Sequence, residues 1–200
     1  FVNLVGGTYY AFDREKNVAK VDYDTNKPIY IGADFNCDPL AFCLFQRYEQ
    51  APQIRVFDTF ALSHQGDGDL LTERMALNIK DKYPNRTYYC YPDATGRAKG
   101  SSAAYSDISL LKRHFQIKVK HINPKVVNRV NAMNKALSGN MIIDPRCKNL
   151  INDLEKVTNK QGTREIDKSN KMLSHSSDAL GYYTFYQFPV TRPKLWSIDR

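Results

Sequence analysis

The apolar positions of this chain fall into runs whose period changes along its length, and those changes divide it into elements. Pro28 to Phe35 is a strongly apolar, β-prone run that contains Asp34 at its end, the pattern of a buried strand. Leu40 to Tyr48 and Ile54 to Leu62 have the same character, and Glu49-Gln50-Ala51-Pro52 between them has the length and the proline of a hairpin turn. Three sequential antiparallel strands are the economical solution. After Gly66-Asp67-Gly68-Asp69 the period lengthens: Leu71, Met75 and Ile79 recur at every fourth position, which predicts a helix to about Tyr83 with an aspartate available as its cap. Alternation follows, with a strand at Thr87 to Tyr91, a helix at Ser106 to Phe115 and a strand at Ile117 to Ile122. Asn123-Pro124 opens a further helix whose stripe of Val126, Val130, Met133 and Leu137 ends where Gly139 can cap it. Met141 to Ile143 are too few to assign. Cys147, Leu150, Ile151 and Leu154 form another helical stripe, the polar stretch Thr158 to Asn170 suits a hairpin or loop, and a last helix starts near Ser174. At the other end, Gly6-Gly7 and Tyr9 to Val21 suggest a short ribbon.

This order predicts an α/β fold: a mixed sheet in which three antiparallel strands are followed by parallel strands, with helices on both faces. No repeat or low-complexity linker interrupts it, so one domain is expected over 28–200, preceded by an N-terminal extension over 1–27. Hydrophobic residues at 42% and aromatics at 12% of 200 residues suffice for a packed core and exclude disorder. No apolar run approaches the roughly 20 residues that cross a bilayer, and no charged-then-apolar leader opens the chain. No membrane partner is expected. The chain starts Phe1-Val2-Asn3 without an initiator Met, as a piece of a longer protein would. With 29 Lys+Arg against 21 Asp+Glu the net charge is +8, which favours polyanionic partners. Cys37, Cys43, Cys90 and Cys147 make no C-x-x-C pair and, with four scattered histidines, offer no zinc spacing; they are expected to be reduced core residues.

Ligands of such sheets gather at the carboxyl ends of strands beside the switch in connectivity. Asp34 ends the first apolar strand, in a run too hydrophobic for an unpartnered carboxylate. Asp93 follows the strand ending at Tyr91, in Tyr91-Pro92-Asp93-Ala94-Thr95-Gly96. Asp178 lies in the first turns of the last helix, with His175 at i−3 on the same face. The three acids converge if the first strand and the Thr87 to Tyr91 strand are neighbours. Converged carboxylates repel one another and demand cations, and oxygen donors with few histidines select Mg²⁺ or Mn²⁺. Two such ions can activate a water and stabilise the leaving oxygen of a phosphodiester displacement, with Asp34, Asp93 and Asp178 as ligands and His175 orienting or protonating beside them. Singly, each has a structural alternative: Asp34 as a strand-end turn former, Asp93 as a Pro-Asp turn residue, Asp178 as a helix-dipole acid and His175 as a neighbour of the cap. Among the other acids, Asp38, Asp107 and Asp144 fit turns or a helix start, and Asp58 is the reserve candidate.

At these residues the sequence resembles the C-terminal nuclease domain of the large terminase subunit of tailed bacteriophages, which has an RNase H-like fold. The likeness is carried by Gly32-Ala33-Asp34-Phe35-Asn36 with Pro39, by Tyr91-Pro92-Asp93-Ala94-Thr95-Gly96, and by Asn123-Pro124 with Asn128-Arg129-Val130-Asn131-Ala132. Asp144-Pro145 with Cys147-Lys148, and Ser174-His175-Ser176-Ser177-Asp178-Ala179-Leu180-Gly181-Tyr182, complete it, so the motifs span nearly the whole chain. The resemblance implies a metal-dependent endonuclease that cuts concatemeric double-stranded viral DNA during packaging in the cytoplasm of a bacterial host. It implies that Asp34, Asp93 and Asp178 match the family's metal-binding acids and that His175 matches a histidine of some members. The implied partners are DNA, an ATPase domain of the same parent chain, a portal protein and a small terminase subunit. No G-x-x-x-x-G-K-[ST] phosphate loop occurs here, so residues 1–27 are expected to form the junction with an ATPase domain that lies elsewhere.

DNA can reach the acids only if cations offset their charge. The loop Gly96-Arg97-Ala98-Lys99-Gly100-Ser101 offers Arg97 and Lys99, and Arg129, Lys160 and Lys168 are weaker candidates for phosphate contact. None would read base edges, so binding should be salt-dependent and weakly sequence-selective. Two rivals remain: another RNase H-like nuclease, of resolvase or integrase type, and a non-catalytic DNA-binding packaging module.

Overall fold

A computed structural model describes residues 7–35, 38–63, 70–98 and 105–190. Its centre is a sheet built from β1 (Ile29–Asp34), β2 (Leu40–Arg47), β3 (Ile54–Leu62), β4 (Tyr88–Pro92), β5 (Gln116–Ile117) and β6 (Met141–Ile143), in the order β5-β4-β1-β2-β3-β6. The β1 to β3 strands form the expected antiparallel meander, while β4 joins β1, β5 joins β4 and β6 joins β3 in parallel. The helices are α1 (Arg14–Asn17), α2 (Leu71–Lys82), α3 (Asp107–Leu111), α4 (Val126–Leu137), α5 (Lys148–Lys156) and α6 (His175–Gln187).

Period-two alternation sorts the strand side chains between two cores. Phe42 and Leu44 join Ile29, Ile31 and Ala33 against Met75 and Ile79 of α2 and Leu111 of α3. Cys43 and Phe45 point the other way, against Met133 of α4, Leu150 of α5 and Tyr183 of α6. Both faces of the sheet are therefore covered, which is why its central strands are continuously apolar. Cys43, Cys90 and Cys147 are buried free thiols within these layers, and Cys37 lies outside the described residues.

Four local expectations change. The proposed N-terminal ribbon is instead a chain of turns with the single-turn helix α1; Asn17 donates from Nδ2 to the carbonyls of Leu137 (2.9 Å) and Met141 (3.1 Å), and so ties this segment to α4 and β6. The strand expected to reach Ile122 ends at Ile117, because β5 is an edge strand that among the described residues pairs with β4 alone and continues into a largely exposed stretch. The helix expected to reach Phe115 ends at Leu111 and continues as turns. Met141 to Ile143, unassigned by pattern, form β6 because β3 offers them a parallel partner. The Gly66-Asp67-Gly68-Asp69 cap of α2 lies outside the described residues.

Candidate active site

Two neighbouring strands present the first two acids. In the parallel β1–β4 pair Ala33 lies opposite Pro92, so Asp34 ends one strand where Asp93 follows the other, and the Asp93 amide donates to the Ala33 carbonyl at 2.9 Å. Asp93 then starts a 3₁₀ turn, Ala94–Arg97, with its Oδ1 accepting the Thr95 amide at 2.7 Å. The third acid arrives from above on α6, which lies almost directly on β1. Gly32 makes that approach possible: a Cβ there would stand 2.2 Å from the Ala179 carbonyl oxygen. Gly181 does the same for the next layer, since a Cβ there would stand 2.6 Å from Cγ of Arg129.

The three aspartates are all buried, with Asp34 and Asp178 each 2% exposed and Asp93 9% exposed, and each is held by different donors. Asp34 Oδ2 lies 3.2 Å from His175 Nδ1, and the opposite ring nitrogen of His175 donates to the Lys171 carbonyl at 2.7 Å. Both ring nitrogens thus face acceptors. The hydrogen bond to Asp34 accordingly raises the His175 pKa and favours the imidazolium. Asp178 Oδ1 accepts Arg129 Nη2 at 2.6 Å, and its Oδ2 lies 3.5 Å from Lys168 Nζ. Burial opposes the charge on Arg129, but the adjacent Asp178 holds the guanidinium protonated. Asp93 accepts from the Tyr182 hydroxyl at 2.9 Å and from the Asn123 side-chain amide. The Arg129 guanidinium also sits 4.6 Å from the centre of the Tyr182 ring, so Tyr182 and Arg129 link Asp93 to Asp178. Among the described residues no three Asp, Glu, His or Cys side chains stand together as a group that could hold a metal ion. Asp93 and Asp178 are linked through Tyr182 and Arg129, whereas Asp34 is held separately by His175.

The expected DNA contacts are placed as follows. Arg97 is exposed and donates to the carbonyls of Val119 and Lys120. Lys160 is exposed and paired with Glu165 at 3.0 Å, on a small hairpin closed by the Asn159–Ile166 bridge. Lys168 is exposed and leans toward Asp178. Arg129 is only 5% exposed, and its charge faces Asp178 rather than solvent. Lys99 lies outside the described residues. The reserve candidate Asp58 is buried elsewhere, accepting Lys82 Nζ at 2.6 Å and the Tyr83 hydroxyl at 2.8 Å.

Pattern reasoning missed three contributors. Tyr182 stands at i+4 from Asp178, a spacing that puts both on one helix face. Asn123 is visible in the sequence as a helix-opening residue and as part of the Asn123-Pro124 motif, but without a role at Asp93. Asp153, at i+3 from Leu150 on the buried stripe of α5, accepts the amides of Ser174 and Ser177, each at 3.0 Å. It thereby caps α6 from a neighbouring helix, where Ser174 has φ 77° and its side chain caps nothing. Burial pushes the Asp153 carboxyl up to about 6, against the lowering effect of these hydrogen bonds.

A family model described as "Terminase RNaseH-like domain" matches residues 63–182, which is more than half of the chain. The structure is similar to the P22 large terminase nuclease domain, with 12% identity, TM-score 0.67 and coverage of 90% of this chain and 93% of that one. It is also similar to the large terminase nuclease domain of bacteriophage SPP1 with bound Mn, with 18% identity, TM-score 0.55 and coverage of 86% and 95%. A third likeness is to the large terminase of a thermophilic bacteriophage in complex with ATP-gamma-S, with 16% identity and TM-score 0.64. There the match takes in 90% of this chain but 45% of the other, so the chain spans less than half of that protein. No curated protein matches the sequence.

Proposed function

The chain belongs to the terminase RNase H-like domain family, and from that premise we propose that it is a metal-dependent endonuclease that cuts concatemeric double-stranded viral DNA during genome packaging. The observation that carries this is the placement of Asp34 and Asp93 at the adjacent carboxyl ends of paired parallel strands, beneath the helix that bears His175 and Asp178. Each of these buried carboxylates needs a compensating charge or hydrogen bonds. Here the positive charges are His175, Arg129 and Lys168.

The donor set fits a hard divalent cation such as Mg²⁺ or Mn²⁺: three aspartates, no cysteine and one histidine. Asp34, Asp93 and Asp178 would hold it, and Lys168, at 3.5 Å from Asp178, already puts a cation against that ligand. A bound pair of divalent ions supplies charge neutralisation and water activation for phosphodiester hydrolysis. The chain's own residues then divide the remaining work. Tyr182 and Asn123 hold the Asp93 carboxylate in orientation, and Arg129 fixes Asp178. His175 keeps a proton at Nδ1 beside Asp34 and so orients that carboxylate; protonation of a leaving oxygen is the further role we assign to it. Arg97, Lys99, Lys160 and Lys168 are proposed to contact DNA phosphates, with Arg129 acting from within. The proposed partners are an ATPase domain elsewhere in the parent chain, for which the sequence 1–27 is the junction to the nuclease domain over 28–200, together with a portal protein and a small terminase subunit. The proposed compartment is the host bacterial cytoplasm. Among the described residues no helix is long and apolar enough to cross a membrane.

The test is incubation of supercoiled plasmid with the chain in Mn²⁺, Mg²⁺ or EDTA, beside Asp34→Ala and Asp178→Ala. Cleavage should require the divalent ion and fall by about a hundredfold or more in each folded variant. Wild-type rates in folded variants would falsify the assigned roles. Metal-independent binding without cleavage would point to a packaging module, and strong preference for branched DNA to a resolvase-type nuclease.

A further inference from the structure

A second site lies at the other end of the sheet. A cleft of about 590 Å³ opens where β1 and β3 begin and β2 ends, and its lining includes Lys27, Arg47, Tyr48, Glu49 and Arg55. Tyr30, which also lines it, lies four residues before Asp34, about 13 Å along the strand. Three cations against one carboxylate leave this cleft with a net charge of 3 − 1 = +2. None of the three cations forms an ion pair among the described residues.

Their heads are held in place without being neutralised. The Arg55 guanidinium stands 3.8 Å from the centre of the Tyr48 ring, Lys27 Nζ stands 4.8 Å from the same ring, and Arg47 lies 5.5 Å from the Tyr30 ring. A cation–π contact orients a charge yet supplies no oxygen acceptor. An anion with several oxygens would match the excess charge of the cleft and supply the acceptors that the cation–π contacts lack. Guanidinium groups suit phosphoryl oxygens best, because their fork of N–H donors engages two at once. The volume lies within the range that holds a ligand of nucleotide size.

We propose that this cleft is a second anion site, separate from the aspartates, that takes a phosphoryl-bearing ligand with Arg55 as its principal donor. The phosphoryl groups have two possible sources, a free nucleotide or the backbone of DNA held by the same domain. Titration in EDTA separates this site from the metal-dependent cleavage proposed above, and recovery of intact duplex after each titration verifies that none was cut. One arm uses a nucleoside triphosphate and the other a short DNA duplex, each with wild type, Arg55→Gln, Arg47→Gln and, as an equal charge change at an exposed position elsewhere, Lys112→Gln. Affinity should fall about tenfold in Arg55→Gln and less in Arg47→Gln, with Lys112→Gln near wild type. Loss confined to the nucleotide arm identifies a free nucleotide, and loss in the duplex arm identifies the DNA backbone. If Arg55→Gln and Arg47→Gln match Lys112→Gln in both arms, the proposal is overturned. Arg47 is exposed, so its variant remains informative should Arg55→Gln fold poorly.

Discussion

Asp153→Ala should destabilise the domain more at pH 5 than at pH 7. In the folded chain this buried carboxylate accepts the Ser174 and Ser177 amides, and α6 has no cap of its own. Leaving two buried N–H groups unpaired costs roughly 2 to 6 kcal/mol. At pH 7 much of that is offset, because the wild type must bury an ionised group. Its pKa rises from 3.8 to about 6 on folding, and 6 − 3.8 = 2.2 pH units corresponds to about 3 kcal/mol. Because the folded pKa is the higher one, the folded state binds the extra proton between those values. The Asp153 contribution is therefore greatest below about pH 4 and disappears as pH rises through about 6. Linkage gives about 1.3 kcal/mol of added wild-type advantage on going from pH 7 to pH 5. For a domain of this size that is a widening of the Tm gap between wild type and variant by about 3 to 5 °C. Thermal unfolding followed by circular dichroism at both pH values measures it. The comparison cancels every other group that titrates alike in the two proteins. A gap that is constant, or that narrows toward acid, would refute the account of Asp153 as a desolvated cap of α6.

Arg129→Met should cost about 3 to 5 kcal/mol in denaturant unfolding, because it strands the buried Asp178 carboxylate, and the double variant with Asp178→Asn should recover most of that loss. A single variant as stable as the double would mean that Lys168 alone suffices as counterion. Lys168→Gln removes the exposed ammonium 3.5 Å from Asp178 and should tighten Mn²⁺ binding by up to about fivefold in calorimetric titration. Weaker Mn²⁺ binding in that variant would show that Lys168 does not compete with the ion.

The sequence determined most of the architecture. The three long strands are predominantly apolar, β-prone runs, and α2, α4, α5 and α6 carry stripes or motifs that mark them as helices. Elements failed where their stability comes from a neighbour. The three residues of β6 become a strand because β3 presents them an edge, and β5 stops after two residues because no described strand pairs with its far side. The acids were legible as strand-end and helix-start residues, and the adjacency of the strand ends that carry Asp34 and Asp93 followed from the strand order. What each acid bonds to was not legible. Arg129 sits four residues before Met133 on the buried stripe of α4, so its burial could be read from spacing, but its partner Asp178 is 49 residues away. The same holds for Tyr182 with Asp93, 89 residues away, and for the Asp153 cap of α6, 21 and 24 residues from its two donors. Periodicity records which face of an element meets the core, and that is a local property of the chain. The choice of counterion for a buried charge depends on which side chains the packing of Gly32 and Gly181 allows within about 3 Å, and only the tertiary structure decides it.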